Sequence, residues 1–114
     1  TLTGNREIRR LNLRYFKKDS ITDVITQYYR AIPGNDFIIG DIFVNVEEAF
    51  HPVHTSIRKW SPSRELALYI AHGVDHLLGG KDDTIRGRRT MRRRELHWLS
   101  DRVIKQYSTR LLRP

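Results

Sequence analysis

One apolar segment, bounded by a proline and a pair of glycines, constrains the fold of this chain more than any other. Ser61 and Pro62 form a helix N-cap followed by proline at the first helical position, and Gly79 and Gly80 are typical of a helix end. The residues between them are apolar on nearly every side of the expected helix. Because such a helix must be covered from several directions, we predict a central, buried helix from residue 62 to about residue 78.

Shorter elements precede this central helix. Apolar residues at helical spacing predict a helix over residues 4–14, and β-branched and aromatic residues predict strands over residues 22–29 and 37–44. A strong turn signal at residues 33–36 joins the two strands as a hairpin, and Gly40 with Asp41 interrupts the second strand. We expect the first two residues of the chain to be the end of a further strand.

Two further helices are expected around the central one. Asn45 can cap a short helix, which should end near His51 because Pro52 cannot continue it. Asp83 or Thr84 can cap a last helix that runs to about residue 108. The side chains predicted to pack from this last helix are Met91, Trp98, Leu99, Val103, Ile104 and Tyr107.

The charge of the chain is concentrated near its C-terminus. The 114 residues, enough for a single domain over residues 1–114, carry a net charge of +8. Residues 1–80 contain 10 basic and 9 acidic residues, whereas residues 81–114 contain 11 and 4. A one-sided basic surface attracts polyanions, which are nucleic acids or acidic membranes, although a solvated basic helix without a partner remains an alternative.

Several classes of protein are excluded by what the sequence lacks. There is no cysteine, which rules out a disulfide framework, a thiolate zinc site and a cysteine nucleophile. No apolar run reaches about 18 residues, so no membrane span is expected, and no N-terminal segment has the pattern of a signal peptide. These features fit a cytoplasmic protein.

The end of the central helix carries the residues most suited to chemistry. His72 and His76 are four residues apart, so their imidazoles project from one helical face. The glycine turn that follows can bring Asp82 to the same place, and Asp83 next to it can compete for this role. Two imidazoles and a carboxylate, with a fourth position left for water, are the composition of a catalytic zinc site. Such a site lowers the pKa of a bound water and supplies hydroxide for hydrolysis.

Motifs along nearly the whole chain match those of one known family. They comprise Leu11, Asn12, Tyr15, Lys18, Asp19 and residues 22–26, then Gly40, Asp41 and Ile42, then His72 to Gly79, and finally Met91 and Glu95. On these motifs the chain resembles the YbeY family, the metal-dependent endoribonucleases of bacterial ribosomal RNA maturation. The resemblance implies an α+β fold with a small mixed β-sheet flanked by helices and a zincin-like metal helix at its centre. It also implies that a further N-terminal strand and helix of the family are missing from this chain.

The chain departs from the family pattern at four positions near the expected site. Asp82 stands where the family usually has histidine, and Phe16 stands where it has a functional arginine. Gly80 replaces an aromatic residue. Asp75 replaces the usual leucine before the second histidine, where it can orient a ligand or take up a proton in catalysis, or equally be a tolerated exposed residue.

The resemblance and the residues together predict a zinc-dependent, single-strand endoribonuclease. It would bind one zinc ion per chain through His72, His76 and Asp82, with Asp75 as the catalytic residue, and hydrolyse phosphodiester bonds with metal-activated water. Its partners would be ribosomal RNA and components of the small ribosomal subunit, in ribosome biogenesis. The basic residues expected to bind the phosphates of RNA are Lys17, Lys18, Arg88, Arg89 and Arg92.

Two alternatives belong to other functional classes. A non-catalytic RNA-binding ribosome-assembly factor is favoured by Phe16 in place of the arginine and by the basic last helix. A zinc metalloprotease is suggested by the spacing of the two histidines and the aspartate. Such proteases place glutamate directly after the first histidine as general base, whereas this chain has Gly73 there, which disfavours a protease.

Overall fold

The computed structural model describes residues 1–29, 34, 39–51 and 61–112. Within these ranges the chain is an α+β protein with a small mixed sheet and flanking helices, which confirms the predicted fold class. The elements in chain order are β1 (Leu2–Thr3), α1 (Asn5–Phe16), β2 (Val24–Tyr28), β3 (Gly40–Asn45), α2 (Val46–Phe50), α3 (Pro62–Leu77), α4 (Ile85–Ser100) and α5 (Arg102–Ser108).

The sheet has three strands in the order β1-β3-β2. β1 is parallel to β3, with Leu2 opposite Val44, so the predicted N-terminal strand is confirmed. β2 is antiparallel to β3 in a register that runs from the Val24–Val44 pair to the Tyr28–Gly40 pair. The predicted interruption of the second strand is wrong, because Gly40 is a paired residue at the beginning of β3.

Alternate residues of the sheet face two different helices. Val24, Ile42 and Val44 contact the core formed with Leu66 and Tyr69 of α3. Ile25 and Phe43, one residue out of phase, contact Ile8 and Leu11 of α1. Because successive side chains in a strand point to opposite faces, the sheet lies between α3 on one face and α1 on the other.

The predicted central helix is confirmed, and its position explains its apolar composition. Ser61 caps α3 by accepting a hydrogen bond from the backbone N–H of Arg64 at 3.3 Å. No residue of α3 is fully exposed to solvent. At Gly73 the helix is so close to the sheet that an added Cβ would lie 2.6 Å from Ile42 Cγ2. This close approach sets the end of α3, with both histidines, above the sheet.

The last helix is broken, contrary to the prediction of one helix to residue 108. α4 ends at Ser100, and α5 begins at Arg102. Asp101 between them has extended backbone (φ −56°, ψ 136°), and its side chain accepts hydrogen bonds from the N–H groups of Val103 and Ile104. A residue with the side-chain chemistry of an N-cap therefore starts a new helix here. At the beginning of α4, Thr84 and not Asp83 is the cap.

The break also corrects the predicted packing stripe. Met91 and Leu99 of α4 are buried as expected. Val103 and Tyr107 of α5 are 60% and 64% exposed, because the new helix no longer continues the buried face of α4. Together with Trp98 and Ile104 they line an open apolar groove beside α3.

Some predictions lie outside the described residues. They are the turn at residues 33–36 apart from Gly34, the beginning of the second predicted strand, and Pro52. The short helix capped by Asn45 ends at Phe50, as expected. None of the helices in the described ranges has the length and apolar composition needed to cross a membrane.

Candidate metal site

The three predicted metal ligands lie together at the C-terminal end of α3. His72 Nε2 is 3.1 Å from His76 Nε2, which is 3.1 Å from Asp82 Oδ2. The third side of this triangle, from His72 Nε2 to Asp82 Oδ2, is 3.6 Å. Among the described residues these three form a group with ligand atoms close enough to hold one metal ion, and Asp83 is not a member of it.

The dimensions of this triangle fit a tetrahedral zinc ion. With metal–ligand distances of about 2.0–2.1 Å, two ligand atoms of a tetrahedral site are separated by about 3.3 Å. The three observed separations, 3.1, 3.1 and 3.6 Å, bracket this value. The Asp82 side chain is 44% exposed and those of His72 and His76 are 21% and 26% exposed, so the triangle is open to solvent on one side.

The other ring nitrogen of each histidine has its own acceptor. His72 Nδ1 donates to Glu95 Oε2 at 2.9 Å, and His76 Nδ1 donates to the carbonyl oxygen of Gly80 at 3.1 Å. In each neutral ring the proton is therefore on Nδ1, and the Nε2 lone pair points into the triangle. Two lone pairs that face each other beside a carboxylate repel unless a cation lies between them. The donor set thus fits a metal ion.

Glu95 contacts the candidate metal site, to which the sequence reasoning did not assign it. Its side chain is fully buried on α4, opposite His72. The hydrogen bond from the ring to this carboxylate raises the pKa of His72 above its ordinary value, although burial of the ring opposes the increase. The remaining oxygen, Oε1, is 3.6 Å from Arg92 Nη1. The motif matched Glu95 to the family, but only the packing of α4 on α3 reveals what it contacts.

Asp75 lies beside the metal ligands in sequence but contacts a different partner. Its side chain is 2% exposed, and Oδ1 accepts a hydrogen bond from Arg94 Nε at 3.0 Å and forms an ion pair with Arg94 Nη2 at 2.8 Å. It is not a member of the metal-ligand group. Its backbone carbonyl accepts from the N–H of Gly80, whose own carbonyl holds His76. These contacts suit a residue that positions the turn, and the catalytic role remains a prediction.

The predicted phosphate-binding residues are distributed over two cavities beside the triangle. Arg88, Arg89 and Arg92 line a cavity of about 350 Å³ together with His72, Asp82 and Glu95. Lys18 lines a second cavity, of about 470 Å³, on the side of α1 and β2. Lys17 lines neither of these cavities, since it forms the left-handed C-cap of α1 with a φ of 55°.

Fold and site together define a class, the small α+β proteins with an open cluster of histidine and carboxylate side chains that could hold a metal ion. A family model described as Endoribonuclease YbeY matches residues 1–102. The chain belongs to the YbeY family.

Curated relatives named Endoribonuclease YbeY come from several bacteria. That of Amoebophilus asiaticus is 34% identical over 99 residues, which are 85% of this chain and 64% of the relative. That of Anaeromyxobacter sp. is 34% identical over 94 residues, 82% of this chain and 48% of the relative. That of Clostridioides difficile is 33% identical over 106 residues, 88% of this chain and 67% of the relative. The chain therefore spans about half to two thirds of the length of these relatives.

Proposed function

We propose that this protein is a zinc-dependent endoribonuclease that cleaves single-stranded regions of ribosomal RNA in the cytoplasm. The observation that carries the proposal is the open triangle of His72, His76 and Asp82, whose spacing and ring protonation fit one metal ion. Membership of the YbeY family and the names of its relatives support endoribonuclease activity. Ribosomal RNA and components of the small ribosomal subunit are the proposed partners.

Each residue of the triangle has a part in the proposed chemistry. When bound, a zinc ion would polarise the phosphate and lower the pKa of a water molecule, which supplies hydroxide at neutral pH. His72 and His76 keep their Nε2 lone pairs directed inward because Glu95 and Gly80 hold their Nδ1 protons. Asp82 adds the negative charge that a dication requires, on the side open to solvent.

The cavity lined by arginines supports an anionic substrate. Phe16 carries no charge, so phosphate binding falls to the guanidinium groups of α4 and to Lys18. Arg88 donates to the backbone carbonyl of Asp82 at 3.1 Å, which ties this cavity wall to the metal ligand. Arg89, also in the wall, has no carboxylate partner among the described residues. Guanidinium groups are well suited to phosphate because their N–H donors match its oxygens in pairs.

A peptide substrate has less support than RNA. In zinc proteases the residue after the first histidine is the general base. Here that residue is Gly73, which packs against Ile42 and Val24 of the sheet, so a side chain at this position would meet the sheet. A non-catalytic RNA-binding factor remains distinguishable by experiment, because it binds RNA without cleaving it.

The test combines metal analysis with an RNA cleavage assay. Metal content is measured by elemental mass spectrometry on protein purified without chelator, for the natural chain, His72→Ala and His97→Ala. His97 is an exposed histidine of α4 outside the triangle and therefore a matched control. We expect about one zinc per chain in the natural protein and in His97→Ala, and none in His72→Ala.

Cleavage of single-stranded RNA should follow the metal content. We expect activity that a chelator removes and that added zinc restores, with no activity in His72→Ala. If the natural protein does not cleave RNA and His72→Ala still binds it, the endoribonuclease proposal is rejected in favour of a non-catalytic assembly factor. Metal-dependent cleavage of peptides but not RNA would overturn the proposal in favour of a protease.

A further inference from the structure

The second cavity beside the metal-ligand triangle differs in chemistry from the arginine-lined one. Its volume of about 470 Å³ is in the range of small-molecule sites, about 300–1,000 Å³. His76 and Asp82 are part of its wall, so it opens directly onto the candidate metal site. The rest of the wall comes from α1, β2 and the segment between them: Asn12, Phe16, Lys18, Ser20, Ile21, Thr22, Val24, Ile25, Thr26 and Tyr28.

Two aromatic rings of this cavity are exposed. Phe16 is 48% exposed and Tyr28 is 52% exposed. Neither ring stacks on another aromatic ring within the part of the chain that the structure describes, whereas Tyr15, next to Phe16, stacks on Phe43. Burying apolar rings is favourable, so two rings left open in the wall of a site indicate a ligand with a flat, partly apolar surface.

The local backbone explains why Phe16 faces this cavity. α1 ends at Phe16, and Lys17 adopts the left-handed conformation that terminates the helix. The N–H of Lys18 turns back to the carbonyl oxygen of Asn12 at 3.3 Å. As a result Phe16 and Lys18 line the cavity together, while Lys17 does not.

Polar groups in the same cavity wall offer hydrogen bonds to an edge of the ligand. Thr26 donates its hydroxyl proton to the carbonyl oxygen of Gly73 at 3.2 Å, and Thr22 donates to Asp23 at 3.4 Å. Each threonine oxygen keeps lone pairs that can accept from an amino or ring N–H group. A flat ring with N–H groups at its edge, linked through a sugar to a phosphate, is the base of a nucleotide.

We propose that this cavity binds the base of the nucleotide next to the cleaved phosphate, with the ring of Phe16 as its stacking surface. The inference deepens the proposed function and rests on it. The RNA strand would cross the triangle with a base on the Phe16 side and a neighbouring phosphate among Arg88, Arg89 and Arg92. Every base has a flat face, so stacking fixes the position of the strand without requiring one sequence.

The experiment couples a change in the protein to a change in the RNA. Phe16→Leu keeps an apolar side chain but removes the ring, and Phe16→Tyr keeps the ring. Tyr107→Leu removes an exposed ring that lines the apolar groove instead. Each protein is assayed on short single-stranded RNAs in which one abasic nucleotide is moved along the sequence, with kcat/KM as the readout.

We expect Phe16→Leu to lower kcat/KM by about 5- to 150-fold, the range for one base stacked on one ring. Tyr107→Leu should stay close to the natural protein, and Phe16→Tyr should recover most of the kcat/KM that Phe16→Leu loses. At one RNA position, the abasic nucleotide should lower the kcat/KM of the natural protein by a similar factor. At that position it should not lower the kcat/KM of Phe16→Leu any further. Equal abasic losses in both proteins at every position, or an equal loss in Phe16→Tyr and Phe16→Leu, would overturn the stacking site.

A binding measurement separates this inference from the proposed function. The same proteins and RNAs are compared in chelator by fluorescence anisotropy, which measures binding without cleavage. Coupling between Phe16 and one RNA position in binding, without cleavage under any condition, would keep the base site and reject the nuclease. Cleavage that shows no such coupling, in kcat/KM or in binding, would keep the nuclease and reject the base site.

Discussion

The two histidines of the candidate metal site both direct Nε2 into the triangle, but their Nδ1 atoms are held by different kinds of partner. His76 donates to the Gly80 carbonyl, a backbone group only four residues away. His72 donates to the carboxylate of Glu95, 23 residues away on another helix. The first contact forms when one turn folds, whereas the second requires α4 to pack on α3. The site therefore depends on a local support, the hydrogen bond of His76 to Gly80, and on a long-range support, the hydrogen bond of His72 to Glu95.

Asp75 connects the two supports. Its backbone carbonyl accepts from the N–H of Gly80, in the turn that holds His76. Its carboxylate accepts from Arg94 on α4, the helix that carries Glu95. Substitutions of Asp75 or Arg94 should therefore disturb both histidines. A substitution of Glu95 should mainly disturb His72, and a substitution of Gly80 should mainly disturb His76.

The largest effect on stability is expected from Arg94→Ala. This change leaves the Asp75 carboxylate, 2% exposed, without its charged partner, and the other oxygen Oδ2 has no hydrogen bond among the described residues. We expect the free energy of unfolding in chelator to fall by about 2–4 kcal/mol. Asp75→Ala should cost less, about 1–2 kcal/mol, because water reaches the freed guanidinium, which is 43% exposed. Denaturant titration of both variants measures the difference, and an equal or reversed order would contradict it.

Asp75→Asn tests the predicted catalytic role of Asp75 separately from its structural one. The amide oxygen can still accept from Arg94, but the side chain can no longer take up a proton. If Asp75 positions the turn, the variant should retain RNA cleavage close to that of the natural protein. A large loss of kcat in a variant of unchanged zinc content would restore the catalytic role.

The next effect concerns the support of His72 alone. Glu95→Ala should weaken zinc binding about 10- to 100-fold, or about 1.4–2.7 kcal/mol, as removal of such a partner of a ligand typically does. Glu95→Gln should lose less, because its amide oxygen can still accept the Nδ1 proton of His72. Competition with a chromophoric chelator measures both affinities. Unchanged affinity in Glu95→Ala would mean that the hydrogen bond does not support the site.

The metal ligands could be predicted from sequence, whereas the long-range support of His72 could not. His72, His76 and Asp82 followed from helical spacing and a glycine turn, which depend on neighbouring residues. The contact of Glu95 with His72 and the pairing of Asp75 with Arg94 depend on how α4 packs against α3. The break at Asp101 was missed because helical spacing continues across it, whereas the competing N-cap becomes evident only from its bonds to Val103 and Ile104.

The local support of His76 should respond to Gly80→Ala. An added Cβ would lie 2.6 Å from Asp75 Oδ1 and 2.9 Å from the backbone carbonyl oxygen of Asp75, so the turn must shift. We expect a loss of about 1–2 kcal/mol in the free energy of unfolding and weaker zinc binding, as for other overpacked positions. Gly79→Ala is the control, because its Cβ has no neighbour within 4 Å and only its φ of 98° is strained. Equal zinc affinity in the two variants would show that the Asp75 contact is unimportant.

The smallest effect is expected at the N-terminus of α4, the helix that carries Glu95. Thr84 caps α4 by accepting a hydrogen bond from the N–H of Gly87 at 2.9 Å. Thr84→Ala should lower the free energy of unfolding by about 0.5–1 kcal/mol, the usual cost of losing an N-cap at an exposed helix end. Thr84→Ser keeps the hydroxyl and should restore most of this stability. Glu95 lies three turns further along α4, so zinc affinity should remain within about twofold, a change of about 0.4 kcal/mol. A larger change would mean that fraying at the first turn of α4 extends to Glu95, and that the support of His72 is less rigid than its buried carboxylate indicates.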